Sequence, residues 1–364
     1  MRILVLTKRQ YMNKDLIDDR FGRFREIPLA LAQKGHIING LCLSYAKRNE
    51  GQAQDGPVCW QSINATQFKV PGLVNFFLKA WELTKHSDII WACSDSIYGI
   101  LGYVLAKKCN LPIVFDLYDN FEFFLMARLP LIKQLYRHVV KNCDAVTCVS
   151  RPLARLVNAY GRKKPSIVLE NAVRKDLFFP MNKEKCRKKI ELPLNIRIVG
   201  TAGALTRSRG IQTLFDAFDM IKNKHQDLHL AVAGPRDVRV PQNPRIHDLG
   251  ILPLEKVPVF LNSLDIGIVC NLKNRFGNYC FPQKTREMMA CNIPLIAAKV
   301  GSMHELFADK PQWLYDPGDR HSLATAIKHR LTDCHTGYSI PPSWVELAET
   351  VEHTMQELIG RKRY

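Results

Sequence analysis

The apolar residues of this chain come in short runs separated by stretches of helical length. "RILVLT" from Arg2 is followed by "IINGLCL", "DIIWAC", "PIVFDLY" and "DAVTCVS". Continuous apolar runs are what strands show when both faces of a parallel sheet are covered. Their alternation with helices predicts an α/β, doubly wound sheet. Ile27–Lys34, "IPLALAQK", reads as a helix stopped by Gly35, which takes the left-handed conformation at no steric cost. "PSIVLENAV" closes the first half. From about Arg174 to Leu192 the chain turns polar and basic, and the pattern then restarts with "IRIVGTAGA", "LHLAVAG", "DIGIVC", "PLIAA" and "WLY". Two Rossmann-like domains in tandem suit 364 residues. After Leu331, "TDCHTGYSIPPS" reads as a turn-rich connector. It leads to a last helix with apolar Val345, Leu347, Val351, Met355 and Leu358.

The formal charge is +18, with +11 through Pro180 and +7 beyond. Such an excess fits a polyanion, an anionic membrane surface or a phosphate-rich ligand, and equally a solvated lysine-rich surface. The eleven cysteines form no CxxC pair, which argues for a reducing compartment and against a structural zinc. "MRILVLTKRQ" is charged too early for a signal peptide, and no run of about eighteen apolar residues crosses a membrane. These features predict a cytoplasmic protein.

In open α/β sheets, ligands sit at the carboxyl ends of strands. The first strand of the second half ends in "GTAGALTRSRG". Gly203 lets backbone approach a ligand, and Arg209 borders Gly210 at the entry to "GIQTLFDAF". Glycine with arginine at a helix start suits a phosphate, or is a basic surface turn. "FPQKTREMMACNIPLIAA" poses a sharper question. Pro282 reads as the first helical position, so Lys284 falls in the first turn, where the helix dipole opposes a cation. It either pairs with Glu287 three residues on, or helps the dipole hold an anion while Glu287 accepts sugar hydroxyls. Asn292 closes the helix in the left-handed conformation.

This segment resembles the donor site of retaining glycosyltransferases of family 4, which have the GT-B fold. "VGTAGALTRSRGIQTLFDAF" is similar to the family's glycine-rich segment, with Arg209 at a lysine position. "AVAGPRD", "LNSLDIGIVCN", "WLYDPGDRHSLATAI" and, earlier, "VTCVSRPLARLV" with Asn171-Ala172 follow in family order. The resemblance implies two Rossmann-like domains facing across a cleft: an acceptor domain over 1–175 and a donor domain over 176–340. A final helix over 341–364 would return to the first. It implies transfer of a sugar from a nucleotide-diphosphate sugar to a hydroxyl acceptor with retention, the acceptor being a glycan or lipid-linked glycan. No cofactor, metal or nucleic acid is expected. Arg209 and Lys284 would meet the diphosphate, and Glu287 the donor ribose.

The chain departs from the pattern at Tyr279, where a glutamate is usual. Contacts to the donor sugar then fall to backbone groups of Gly277–Phe281. In the first half, "FDLYDNFEFF" places Tyr118-Asp119 where the family has His-Asp, with Asp116 and Glu122 nearby. Tyr118 is too weak an acid to serve as a base near neutral pH. Asp119 reads as a catalytic cleft residue or as a turn aspartate. Asp18 and Asp19 fall near the family's Gly-Gly loop. Gly22, Arg20 and Arg23 flank the diphosphate or acceptor, or Arg23 and Arg25 simply solvate a helix start. "FKVPGLVNFFLKAWELTKHSD" from Phe68 has the composition of an interfacial helix on anionic lipid, or of a helix packed on the sheet. Another GT-B activity, such as a sugar-nucleotide epimerase or inverting transferase, and a non-catalytic basic scaffold remain as alternatives.

Overall fold

A computed structural model describes residues 1–11, 14–65, 69–124 and 126–362. Phe68, Arg363 and Tyr364 lie outside them. The chain divides into two compact units, one of residues 1–170 with 344–364 and one of residues 171–343.

The first unit runs β1 (Arg2–Lys8), β2 (Gln10–Tyr11), β3 (Lys14–Asp15), α1 (Arg23–Gln33), β4 (Ile37–Ser44), β5 (Gly51–Asp55), β6 (Val58–Asn64), α2 (Lys69–Thr84), β7 (Ile89–Cys93), α3 (Ser96–Lys108), β8 (Ile113–Leu117), α4 (Pro130–Asn142), β9 (Ala145–Cys148), α5 (Arg151–Asn158) and β10 (Ile167–Val168). Its eight-stranded sheet has the order β10-β9-β8-β7-β1-β4-β6-β5. All pairs are parallel except β5 with β6. β7, β8 and β9 are buried along their whole length, which explains their unbroken apolar character. Parallel crossovers are right-handed as a rule, and these run one way for α1 and the other way for α2 to α5. Helices therefore form two layers: α2, α3, α4 and α5 pack in succession on one face, while α1 packs beside the C-terminal helix described below.

The second unit runs α6 (Lys183–Lys189), β11 (Arg197–Ala202), α7 (Ile211–Ile221), β12 (Leu228–Ala233), β13 (Ile246–Asp248), α8 (Val257–Asn262), β14 (Ile266–Val269), α9 (Gln283–Ala290), β15 (Leu295–Ala298), α10 (Gly301–Leu306), β16 (Leu314–Tyr315) and α11 (Arg320–Thr332). Its parallel sheet has the order β13-β12-β11-β14-β15-β16. Val199, Leu230, Ile268 and Ile296 meet Leu214, Phe218 and Ile327 in its core. The last helix, α12 (Trp344–Lys362), belongs to the first unit and buries Leu347, Val351, Met355 and Leu358. Val345 of the same pattern points to solvent.

Three details differ from the sequence reading. The first helix begins at Arg23 rather than Ile27, and Pro28 lies inside it. Its arginines do not solvate a helix start. Arg25 is buried against Asp55, at 2.6 Å and 2.8 Å. Arg23 donates to the carbonyl of Leu169 and to Asp116 Oδ1, both at 2.9 Å, deep under the sheet's edge. The polar stretch at the unit boundary also has structure. Arg187 of α6 is buried, donating to the carbonyls of Ser263, Leu194 and Ile196 and to Asp265.

Asp116 is fully buried and takes its second hydrogen bond from Thr147, at 2.5 Å. Removing the cation alone strands a carboxylate in the core, which costs about 3–5 kcal/mol. Urea unfolding should show a loss of that order for Arg23→Met, and recovery of most of it in Arg23→Met/Asp116→Leu.

Candidate functional site

At the carboxyl ends of β11 and β14 the second unit gathers the residues singled out above. α9 starts at Gln283, with Pro282 as its N-cap, and no side chain caps it. The amides of Gln283 and Lys284 therefore lack intrahelical partners, while that of Thr285 donates to the Pro282 carbonyl at 3.1 Å. Lys284 sits in that first turn and remains partly exposed. It makes no ion pair with Glu287; its Nζ reaches back to Thr201 Oγ1 at the end of β11, at 3.3 Å. The surface-bridge reading of this lysine is thereby set aside. Gly203, with φ of +100°, forms the floor: a Cβ there would lie 3.4 Å from Lys284 Cε and 3.5 Å from Nζ.

Arg209 ends a 3-10 turn before Gly210, whose φ of +76° opens α7. Its guanidinium stacks on the Phe276 ring, 3.8 Å from the centroid. Asn274 holds this arrangement together. Its Oδ1 accepts the amides of Phe276 and Gly277, at 3.0 Å and 2.8 Å, and its Nδ2 donates to the Ser208 carbonyl at 2.9 Å. The start of the unit ties down the other end of the loop. Asn171 Nδ2 donates to the Phe281 carbonyl at 2.9 Å, and Gln283 Nε2 to that of Ala172 at 2.6 Å.

The loop corrects one expectation. The amides of Gly277, Asn278, Tyr279 and Cys280 are bonded to Asn274 or Phe276, so they do not point at a ligand. Of the amides expected to serve a bound sugar, those of 277–280 are therefore already engaged within the loop. Phe281 is buried, with Arg286 over its ring at 4.8 Å.

Electrostatics mark the same spot. Burial pushes the Lys284 ammonium down to about 8; the Arg209 charge adds to that shift, and Glu287 opposes it. Burial pushes the Glu287 carboxyl up to about 7, with Lys284 and a hydrogen bond from Gln283 pulling it back. A cation held against its own helix dipole and a neighbouring arginine is a prepared anion site. A cavity of about 370 Å³ lies instead at the far end of α9, lined by Phe178, Phe179, Met289, Asn292 and Tyr338. Its lining is mostly apolar, and Lys175 is the one basic residue in it.

The first unit places the remaining candidates at its own strand ends. Asp119 follows β8, is buried, and accepts its neighbour's amide, Asn120 N, at 2.7 Å. The cap of the next turn is Asn120, whose side chain accepts from Glu122 N, so Asp119 is not there as a cap. Lys8, at the end of β1, lies over the rings of Phe124, Tyr118 and Tyr11, at 5.1, 5.5 and 5.6 Å. Burial lowers its pKa while Asp95 and Asp119 raise it. Tyr118 donates to the Ser94 carbonyl at 3.1 Å, and burial drives its phenol well up. Glu122 is engaged by Arg137, Lys133 and Tyr160. Gly22 is the N-cap of α1 at φ of +106°, and Arg20 is exposed. Arg23, buried beneath, is a fold residue rather than a ligand contact. Asp18 and Asp19 build the loop between, binding Arg9 Nη2 and the Asp15 amide, at 3.0 Å and 2.7 Å.

Sequence reasoning missed Thr201, Asn274 and the role of Phe276. Thr201 had a positional signal, being near the end of a strand that precedes a glycine. Asn274 and Phe276 act across about 65 residues of chain on Ser208 and Arg209, which no local pattern reveals.

The sign of the charge penalty gives a test. An unfolded lysine ionises near 10.5 and this one near 8, so the unfolded state binds the extra proton between those values. Stability from this group rises with pH from 8 to 10.5, and the penalty is complete below 8. The Glu287 penalty grows as pH rises from 4.5 to 7. Lys284→Met should therefore be more stable than the parent at pH 7.5, by about 1–2 kcal/mol after allowance for partial exposure, and the gain should shrink at pH 10. Thermal unfolding at the two pH values checks this.

Comparison with known proteins places these geometries in a family. A model described as Glycosyltransferase Family 4 matches residues 24–177, and one described as Glycosyl transferases group 1 matches residues 196–333. Alpha-monoglucosyldiacylglycerol synthase of Streptococcus pneumoniae is 23% identical over 70% of this chain. A Bacillus subtilis protein named for teichuronic acid biosynthesis is 26% identical over 48%. The chain spans 62% and 41% of the length of these two relatives. Among solved structures, sucrose-phosphate synthase from Thermosynechococcus elongatus aligns over 98% of this chain and 94% of its own, with TM-score 0.73 and 19% identity. Anabaena HepE in complex with UDP and glucose aligns over 97% and 99%, with TM-score 0.73 and 17% identity. These likenesses give the chain the GT-B fold, and the two consecutive matches cover most of its length. The chain belongs to the family 4 glycosyltransferases.

Proposed function

We propose that the protein transfers a sugar from a nucleotide-diphosphate donor to a hydroxyl acceptor, with retention of configuration. The observation that carries this reading is Lys284, a cation held over Gly203 in the uncapped first turn of α9, close enough to Arg209 to feel its charge. A diphosphate placed there relieves the repulsion between the two cations and engages the free amides of the helix start. As the bond from the anomeric carbon to the diphosphate breaks, negative charge grows on the leaving oxygen. Lys284 and Arg209 are already fixed to meet it, which is how preorganised charge lowers a barrier. In this reading the two cations and the helix start carry the charge that a metal would otherwise take. Glu287 accepts hydrogen bonds from the ribose, and its raised pKa makes that acceptance strongest above pH 7.

A nucleoside diphosphate is the natural probe, since the Anabaena HepE structures contain UDP or UDP-glucose. The names of the two relatives point to a glucosyldiacylglycerol and to teichuronic acid, and we take the acceptor to be a glycan or lipid-linked glycan. Asp119 is assigned to the acceptor side, beside Lys8. The protein would work at the cytoplasmic face of a membrane.

Calorimetry with UDP tests the reading. Lys284→Ala and Arg209→Ala should each weaken binding by about tenfold to a hundredfold, the loss of one charge-assisted contact. Affinity should fall by about tenfold per pH unit once pH exceeds 8, because binding needs the Lys284 proton. In Glu287→Gln the break should move to lower pH, since the carboxylate that raises the lysine is gone. No UDP binding by the parent would overturn the reading and favour a non-catalytic basic scaffold. An inverted product, read from the anomeric proton coupling, would overturn retention alone.

A further inference from the structure

The two helix layers of the first unit differ in charge and in what they show to solvent. α2, α3, α4 and α5 together contain nine lysines and arginines and one acidic residue, Glu82. Glu82 is itself neutralised by Lys79, at 2.9 Å. The opposite layer, α1 with α12, contains four basic and five acidic residues, and two of its arginines, Arg23 and Arg25, are buried in ion pairs. The excess positive charge of this unit's helices is therefore sorted onto one side of its sheet, where Glu122 offsets Lys133 and Arg137 in part.

The same side exposes apolar side chains in helical register. On α2, Phe76 and Ala80 are buried while Val74, Phe77 and Leu78 face solvent at 51%, 38% and 59% exposure, with Trp81 continuing the stripe one turn on. The spacing 74, 77, 78, 81 is that of a second apolar stripe on a helix whose first stripe already covers the sheet. α4 repeats the arrangement: Leu131 and Leu135, one turn apart, are 66% and 40% exposed, and Leu129 lies just before them. Cations surround these stripes on long stems. Lys85 extends over the Trp81 ring, Lys107 over Tyr103 and Arg137 over Tyr160. Among the described residues no helix is long and apolar enough to cross a membrane.

We infer that the α2–α5 layer is a docking surface for an anionic phospholipid bilayer. The exposed leucines and Phe77 enter the boundary between headgroups and acyl chains, and the lysines and arginines lie at headgroup level. Both halves of this match are required: the apolar stripes have no counterpart on a nucleic-acid backbone, and the like charge of the layer opposes a second copy of the chain. Each basic residue near such a surface contributes about 1 kcal/mol, or about fivefold in partition. The inference extends the cytoplasmic-membrane placement proposed above to a defined face, and it does not depend on the transferase chemistry.

Flotation of the full chain with phosphatidylcholine vesicles, with and without phosphatidylglycerol, tests it. Binding is expected to the mixed vesicles at low salt, to be absent with phosphatidylcholine alone, and to fall at about 0.5 M salt, where the screening length shrinks to roughly 4 Å. Phe77→Glu/Leu78→Glu and Leu131→Glu/Leu135→Glu should each reduce it by about tenfold or more. Lys85→Gln should reduce it by about fivefold. Glu349→Gln, on α12, should leave it unchanged. All four positions in the double variants are exposed, so circular dichroism and UDP binding should match the parent, which keeps failure of docking separate from failure of the donor site. Equal binding to the two vesicle types, no binding to either, or full binding by both double variants would overturn the inference. Tight binding to duplex DNA that the same glutamates abolish, without binding to vesicles, would assign the layer to nucleic acid instead.

Discussion

The ammonium of Lys284 is held where the protein's other charges oppose it. Burial above all, and then the guanidinium of Arg209, push its proton away, and the dipole of α9 opposes the charge as well. Everything around it serves to keep it there without relief. Gly203 clears the floor, Thr201 gives it a weakly placed acceptor, and Glu287 is near enough to be felt and too far to pair. Arg209 is fixed by a ring below it, and the loop bearing that ring is fixed by Asn274. Such a site is unstable by design of its charges and stable by its backbone. The destabilisation is local, and a bound dianion converts it into affinity.

Elsewhere the fold uses the opposite arrangement, cations with every arm satisfied. Arg9 reaches Asp15, Asp18, Ser62 and the Asn49 carbonyl; Arg187 closes three carbonyls and Asp265. The planar guanidinium suits this work, because it can gather several loop ends at once while neighbouring carboxylates balance its charge. The contrast separates the two kinds of basic residue in a very basic chain. Arginines that are fully engaged hold strand-end loops in place, and the cations left under tension mark the site.

Much of this was legible from residues alone. Strands buried on both faces announce themselves: β7, β8, β9, β11, β12, β14 and β15 lie within the apolar runs of the sequence, and β1 and β4 exceed theirs by one residue. Lys284 stood out because a cation at a helix start contradicts local electrostatics, and Asn292 does take the left-handed conformation, with φ of +54°. The edge strand β5 and its neighbour β6 were missed; "GQAQD" carries no apolar face, and its pairing with β6 is antiparallel. The true start of α1 was hidden by Arg23 and Arg25. Their partners, Asp116 and Asp55, lie 93 and 30 residues away, so nothing local shows that these charges are buried. The spent amides of the 277–280 loop were illegible for a similar reason, because only the folded turn shows what Asn274 has taken.

The sheet of the first unit also acts as a partition. Cationic helices lie on one side and a glutamate-bearing helix on the other, with a layer of low polarisability between them. Separated charge of this kind is a permanent dipole directed across the strands. In any external field the unit experiences a torque before it experiences a contact, so its tumbling is biased at a distance. That bias acts within about one screening length, roughly 8–10 Å at ordinary ionic strength. Orientation would then precede touching, and the rotational part of the search for a charged boundary would be shortened by the same sorting of side chains that lets the sheet be covered on both faces.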